Sequence, residues 1–188
     1  MRRCKSRLTR FVLLMGAMLL LLVACEDESH TQTVRAGLEA REQGALRADM
    51  LVQINEARAS SRYCGKARMS SVPPVVWNDR VAEAAQDYAT VMANRNWFDH
   101  TGPDGSTPET RLRATGYRPQ AWGENIAAGQ TSVDAVVRGW LDSPNHCVNI
   151  MNPKIREIGA GLALAETDSG LRRYWTLLFA SPMGVSGK

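Results

Sequence analysis

The chain has 188 residues and a formal net charge of +4, but residues 1–24 carry five bases (Arg2, Arg3, Lys5, Arg7, Arg10) and no acid, so removing them takes +4 to −1. The pI near 9.1 of the whole sequence is therefore no argument for nucleic-acid binding, which needs a basic patch on the folded domain. What remains is long enough for one domain with a sizeable core.

Residues 11–24 form an unbroken run of apolar residues and one Gly, short of the roughly 20 residues that a bilayer-spanning helix requires. A basic segment followed by such a run reads as an export signal, not as part of the fold. The run ends in L-V-A-C, residues 22–25, which resembles the lipobox of bacterial lipoproteins. That resemblance implies cleavage before Cys25, diacylation of its sulfur and a membrane anchor facing the periplasm or extracellular space. Residues 26–43 are polar with little apolar periodicity and read as a flexible tether.

The domain proper is expected over residues 44–182. Leu46, Met50, Ile54 and Ala57 recur at helical spacing and predict a helix over about residues 44–60. V-P-P-V-V-W-N, residues 72–78, is extended because proline restrains itself and its predecessor. Asn78 or Asp79 then caps a long helix to about Arg95, with Val81, Ala84, Ala85, Tyr88, Val91 and Met92 as its apolar stripe. Thr107 followed by Pro108 marks the start of a short helix to about Thr115, after the turn-rich T-G-P-D-G. G-E-N-I-A-A-G, residues 123–129, suits either strand or turn. Ser132 opens a further helix whose buried side is Val133, Val136, Val137, Trp140 and Leu141, and Pro144 ends or bends it. Two strands, residues 158–165 and 174–180, close the domain around a hairpin loop. Helices first and a strand pair last predict an α+β fold with an antiparallel sheet covered by helices.

Cysteine usage follows from export. Cys4 leaves with the signal and Cys25 is taken by lipid, leaving Cys64 and Cys147, and two thiols in an oxidising compartment favour a disulfide over a catalytic thiol. The domain also holds two histidines, His100 and His146, each in a turn-rich segment after a helix, with Glu124 inside G-E-N. Imidazole and carboxylate suit zinc and related divalent ions. Nothing in the spacing alone forces the three together, because they are not on one helical repeat. Trp97 and Trp122 flank these residues in sequence and are the expected cleft walls. No G-x-S-x-G context supports a serine nucleophile.

Taken together, V-V-W-N-D-R-V-A-E-A-A-Q, F-D-H-T-G-P-D-G, G-E-N-I-A-A-G, S-P-N-H-C-V-N-I-M-N-P and I-G-A-G-L-A resemble the CAP superfamily, the SCP/PR-1-like or cysteine-rich secretory protein domain, in its bacterial exported branch. The resemblance covers about residues 44–180. It implies an α-β-α sandwich and a central cleft in which His100 and His146, assisted by Glu124, hold zinc or another divalent cation. Two departures stand out. The family's second acid, three residues after a helical Trp, falls here on Ser143 after Trp140, with Asp142 the nearest substitute. Bacterial members read S-P-G-H-R where this chain has S-P-N-H-C, and the replacement by Cys147 coincides with Cys64.

Three function classes follow. The first is an envelope-anchored binding module, monomeric, that captures a ligand, lipid or protein partner at its cleft. The second is a metal-dependent hydrolase of peptide or cell-wall bonds, with Glu124 or Asp142 as its acid–base group. The third is a structural envelope protein. The family implies no single reaction, and the binding reading is preferred.

Overall fold

The computed structural model describes residues 18–167 and 170–184, so most of the expected export signal, residues 1–17, lies outside the described residues. The chain divides into two units at Glu42/Gln43. In the first, residues 18–42 have helical backbone as part of α1 (Met18–Ala59). Residues 26–43, expected as a flexible tether, are therefore helical. Leu, Glu, Ala, Arg and Gln make up residues 38–43 and hold a helix by intrinsic propensity, with no buried face required. Among the described residues no helix is long and apolar enough to cross a membrane.

The second unit holds the expected domain. After α1 come β1 (Arg62–Cys64), β2 (Ala67–Met69), β3 (Val76–Trp77), α2 (Asp79–Arg95), α3 (Pro108–Ala114) and β4 (Pro119–Ala128). They are followed by α4 (Val133–Asp142), α5 (Pro144–Ile150), β5 (Glu157–Thr167) and β6 (Gly170–Pro182). The main sheet has the order β3-β5-β6-β4.

Alternation along β6 separates two layers, because successive strand residues point to opposite faces. Trp175, Leu177 and Phe179 pack with Met50 and Ile54 of α1, Val136 and Trp140 of α4, and Ile150 of α5. On the other face Leu178 and Ala180 meet Val81, Ala84 and Ala85 of α2 and Leu112 of α3. Tyr174 joins Tyr88 and Met92 of α2 on that same face. The result is the expected α+β, three-layer α-β-α arrangement.

Helix α2 lies directly on β5 because β5 carries no side chain at two contact points. A Cβ on Gly159 would sit 2.1 Å from the Ala82 nitrogen, and one on Gly161 would sit 2.4 Å from Gln86 Cα. The expected caps are all present: Asn78 accepts from the amides of Arg80 and Val81, Thr107 from Thr110, and Ser132 from Ala135. Each satisfies backbone donors that the first helical turn leaves without partners.

Several elements differ from expectation. The sheet is mixed, since β3 pairs parallel with β5 through Val76 and Trp77, a two-residue edge too short to leave a periodic signal. Residues 123–128 belong to a strand of ten residues, with Gly129 just past its end, and the starting proline is tolerated because β4 is an edge strand. Pro144 begins a helix instead of only ending one, sitting in the first turn of α5, where its missing N–H costs nothing. Val91 is 36% exposed, at the margin of the α2 stripe. The closing strands run further than expected, to Thr167 and from Gly170, and the turn between them lies outside the described residues.

Cys64 and Cys147 form a disulfide with Cα atoms 5.4 Å apart across a sequence separation of 83. Closing a loop of that size stabilises by about 4 kcal/mol in chain-entropy terms. Nearby, Arg58 is 0% exposed. Its guanidinium donates to the carbonyls of Pro73, Ile150, Asn152 and Ile155, fastening the chain that leaves α5. Burial lowers its pKa to about 10, with the charge of Arg156 a lesser cause.

Candidate functional site

Strand β4 organises the site. Its register with β6 pairs Trp122 with Ala180, Glu124 with Leu178 and Ile126 with Thr176, so Trp122, Glu124 and Ile126 share the face covered by α2 and α3. Gly123 and Asn125 take the opposite face, toward α5. There Asn125 donates to the His146 carbonyl at 3.1 Å. Asn149 donates to the Glu124 carbonyl at 3.1 Å and to Asn125 Oδ1 at 2.9 Å. Two side-chain amides therefore hold the His146-bearing helix on the strand that carries Glu124.

The His100 loop is fixed from both ends. Tyr88 of α2 donates its hydroxyl to the Asp99 carbonyl, Trp97 donates its indole N–H to the Thr101 carbonyl at 2.8 Å, and Gly102 N–H reaches the Ser106 carbonyl at 2.8 Å. His100 Nδ1 then lies 2.8 Å from Glu124 Oε1, with the carboxylate side chain 2% exposed and the imidazole 53% exposed.

Sequence reasoning passed over the residue that makes this burial tolerable. Arg111 of α3 donates from Nη2 to Glu124 Oε2 at 2.7 Å. The same guanidinium donates to the His100 carbonyl at 3.1 Å and the Ser106 carbonyl at 3.0 Å. It also lies 3.4 Å from the centroid of the Tyr88 ring, a cation–π contact. A buried carboxylate requires a charged or hydrogen-bonding partner, and that requirement was the available signal: Arg111 stands one turn past the Thr107 cap.

The electrostatics follow from this geometry. The hydrogen bond to Glu124 is the main cause that raises His100 above its ordinary pKa of 6.5. His146 is lowered, first by burial and then by the charge of His100, so the two imidazoles feel each other. Burial pushes Tyr88 up to about 12.

Not every expected residue is gathered here. Asp142 is the exposed last residue of α4, and among the described residues no hydrogen bond or ion pair joins it to His100, Glu124 or His146. Trp97 and Trp122 are 38% and 43% exposed, each on a segment that carries a site residue. Phe98, 55% exposed, adds apolar surface beside Trp97 that the sequence reading did not single out.

Among the described residues no group of three His, Cys, Asp or Glu is gathered as a metal cluster. His100 and His146 are the residues here whose side chains could hold a divalent ion. With Nδ1 committed to Glu124, His100 keeps Nε2 as its free ring nitrogen, the carboxylate–histidine arrangement that orients a ligating imidazole. His146, with its depressed pKa, offers a neutral imidazole. Two imidazoles suit zinc or a similar borderline ion, but a catalytic zinc site commonly has three protein ligands.

A family model described as "Cysteine-rich secretory protein family" (CAP) matches residues 51–179. The chain belongs to this family. Its CAP domain is 33% identical over 88 residues to the Bacillus subtilis (strain 168) protein YkwD, covering 47% of this chain and 34% of that protein. It matches an SCP-domain extracellular protein from Bacillus anthracis at 29% identity and a TM-score of 0.49, over 58% of this chain and 34% of the other. An outer surface protein from Borrelia burgdorferi matches at 23% identity and a TM-score of 0.51, over 60% of this chain and 80% of that one, a likeness of fold. The chain thus spans about a third of the length of YkwD and of the B. anthracis protein.

Proposed function

We propose that this CAP domain is exported, anchored through diacylated Cys25, and acts as a monomeric binding module whose two imidazoles, His100 and His146, hold zinc or another divalent cation. The pairing of His100 Nδ1 with Glu124 at 2.8 Å carries the reading, because it presents the opposite ring nitrogen for ligation. A bound cation would supply a positive, Lewis-acidic point for an anionic or carbonyl-bearing group of an envelope ligand, lipid or protein. Export is supported by the basic and apolar residues 1–24 and by the acidic boundary at Glu26.

Binding is favoured over metal-dependent hydrolysis for a geometric reason. Glu124 has both oxygens engaged, Oε1 by His100 and Oε2 by Arg111, and is nearly inaccessible. A general base must reach the proton it abstracts. Glu124 is placed to orient His100, and Asp142 is not joined to the pair.

Calorimetry of the full chain with zinc chloride tests the reading. One bound ion is expected, lost in His100→Ala and in His146→Ala and weakened about tenfold in Glu124→Gln, the usual cost of removing a partner behind a ligand. Equal binding in wild type and both histidine variants would sink the metal site. Zinc-dependent turnover of casein or peptidoglycan that disappears in His100→Ala would overturn the non-catalytic part. For the anchor, Cys25→Ser is expected to move the protein from the membrane to the soluble fraction, and unchanged partition would refute it.

A further inference from the structure

A concavity lies away from His100 and His146, at the start of α2. It has a volume of about 720 Å³ and is lined by Arg80, Tyr117, Arg118, Glu157, Pro182 and Met183, among others. Its volume falls in the range of small-molecule sites, roughly 300–1,000 Å³. It shares no lining residue with the histidine site. Tyr88, the α2 residue that anchors Asp99 and Arg111, is nine residues past Asp79, about 14 Å along the axis at 1.5 Å per residue.

The floor of this cavity is built. Tyr117, 5% exposed, donates its hydroxyl to Glu157 Oε2 at 2.5 Å, and Asn78 donates to the same oxygen at 3.2 Å. Among the described residues nothing donates to Glu157 Oε1. The side wall is held by Met183 N–H to the Arg118 carbonyl at 2.9 Å. Gly116, with φ +79, turns the chain out of α3 so that Arg118 can reach the rim.

Two guanidinium groups overlook that floor without anionic partners. Among the described residues Arg118 makes no ion pair or side-chain hydrogen bond, and Arg80 makes only a long one, 3.4 Å, to the Gly116 carbonyl. The amides of α2 contribute no anion site, because Asn78 already occupies those of Arg80 and Val81. Recognition would therefore rest on side chains: arginines for a carboxylate, Glu157 Oε1 for a donor, and the apolar surfaces of Pro182 and Met183 between. Such a mixture of a cationic pair, the carboxylates of Glu157 and of Asp79, which also lines the cavity, and apolar wall matches a zwitterion with a small apolar body better than a simple anion.

We propose that this cavity is a second binding site, which takes the free carboxylate end of a short peptide between Arg80 and Arg118 and a donor group of the same peptide on Glu157. The test is calorimetry of the purified full chain with alanyl-alanine, its C-terminal amide and inorganic phosphate. The dipeptide is expected to bind, and the amide and phosphate to bind at least tenfold more weakly. Arg118→Ala, at an exposed position, is expected to weaken the dipeptide at least tenfold while circular dichroism stays unchanged, and Arg80→Ala to act likewise. His100→Ala is expected to leave dipeptide binding intact, separating this site from the metal site. No dipeptide binding at millimolar concentration, or binding indifferent to both arginine variants, would overturn the proposal. So would phosphate binding as tightly as the dipeptide, which would mark a general anion surface.

Discussion

Glu124 Oε2 lies 2.7 Å from Arg111 Nη2, with side chains 2% and 9% exposed. One carboxylate thus joins α3 to β4 with one oxygen and orients His100 with the other. Breaking a buried pair by removing one partner typically costs about 3–5 kcal/mol, because the other charge is left desolvated and alone. Arg111→Met is therefore expected to lower stability by about 3 kcal/mol in urea unfolding. A loss below about 1 kcal/mol would show that Glu124 finds water or protonates without the penalty of an unpaired buried charge. Arg111→Lys should recover only part, because a lysine cannot hold Glu124 and the two loop carbonyls with one planar group.

The two histidines should titrate apart in the metal-free protein. His100 is raised above 6.5, chiefly by its hydrogen bond to Glu124. The stability it contributes is fully present below 6.5 and is lost as pH rises through its folded-state value. His146 is lowered below 6.5 by burial and by His100, so its contribution has the opposite sign and is lost as pH falls from 6.5 through its folded-state value. Imidazole NMR titration should find His100 above His146. In Glu124→Gln the His100 value should fall toward the ordinary one, and coincident titrations in wild type would contradict the geometry.

The Cys64–Cys147 disulfide ties the end of β1 to α5, the helix that carries His146. Cys64→Ala with Cys147→Ala is expected to cost about 2–5 kcal/mol, measured as a lowered thermal midpoint. The double variant should still fold, since Ile150, Met151 and Trp140 bury the same region. An unchanged midpoint would mean that the β1–β2 hairpin is already held by other contacts.

Gly159 tests the closeness of α2 to the sheet. A methyl there would meet the backbone of Ala82 at 2.1 Å, and backbone cannot move aside as a flexible side chain can. Gly159→Ala is expected to cost about 3 kcal/mol or more, at the upper end of overpacking, and to lower the yield of folded protein. Gly139, on α4, is the control, because a methyl added there would meet nothing within 4 Å. Gly139→Ala should be neutral or stabilising by up to about 1 kcal/mol, the helix-propensity gain.

Local signals in the chain determined much of this protein. The α2 stripe of Val81, Ala84, Ala85, Tyr88 and Met92 is buried, and the caps at Asn78, Thr107 and Ser132 bond as their side chains allow. These are readable because they depend on neighbours one to four residues apart. The Cys64–Cys147 bond was legible for another reason: they are the only two cysteines between residues 44 and 182.

Tertiary structure alone decided the rest. Which face of β4 carries Glu124 is set by its register with β6, where Glu124 stands opposite Leu178, and a slip of one residue would turn the carboxylate toward α5. Arg111 becomes the partner of Glu124, and Arg58 the clasp of the α5 exit, only because distant segments bury them, since a charge can be buried only where partners converge. The parallel pairing of β3 with β5 and the arginine-rimmed cavity at the start of α2 have the same origin. They arise from long-range packing around the sheet, for which no local period or spacing in the chain is a cause.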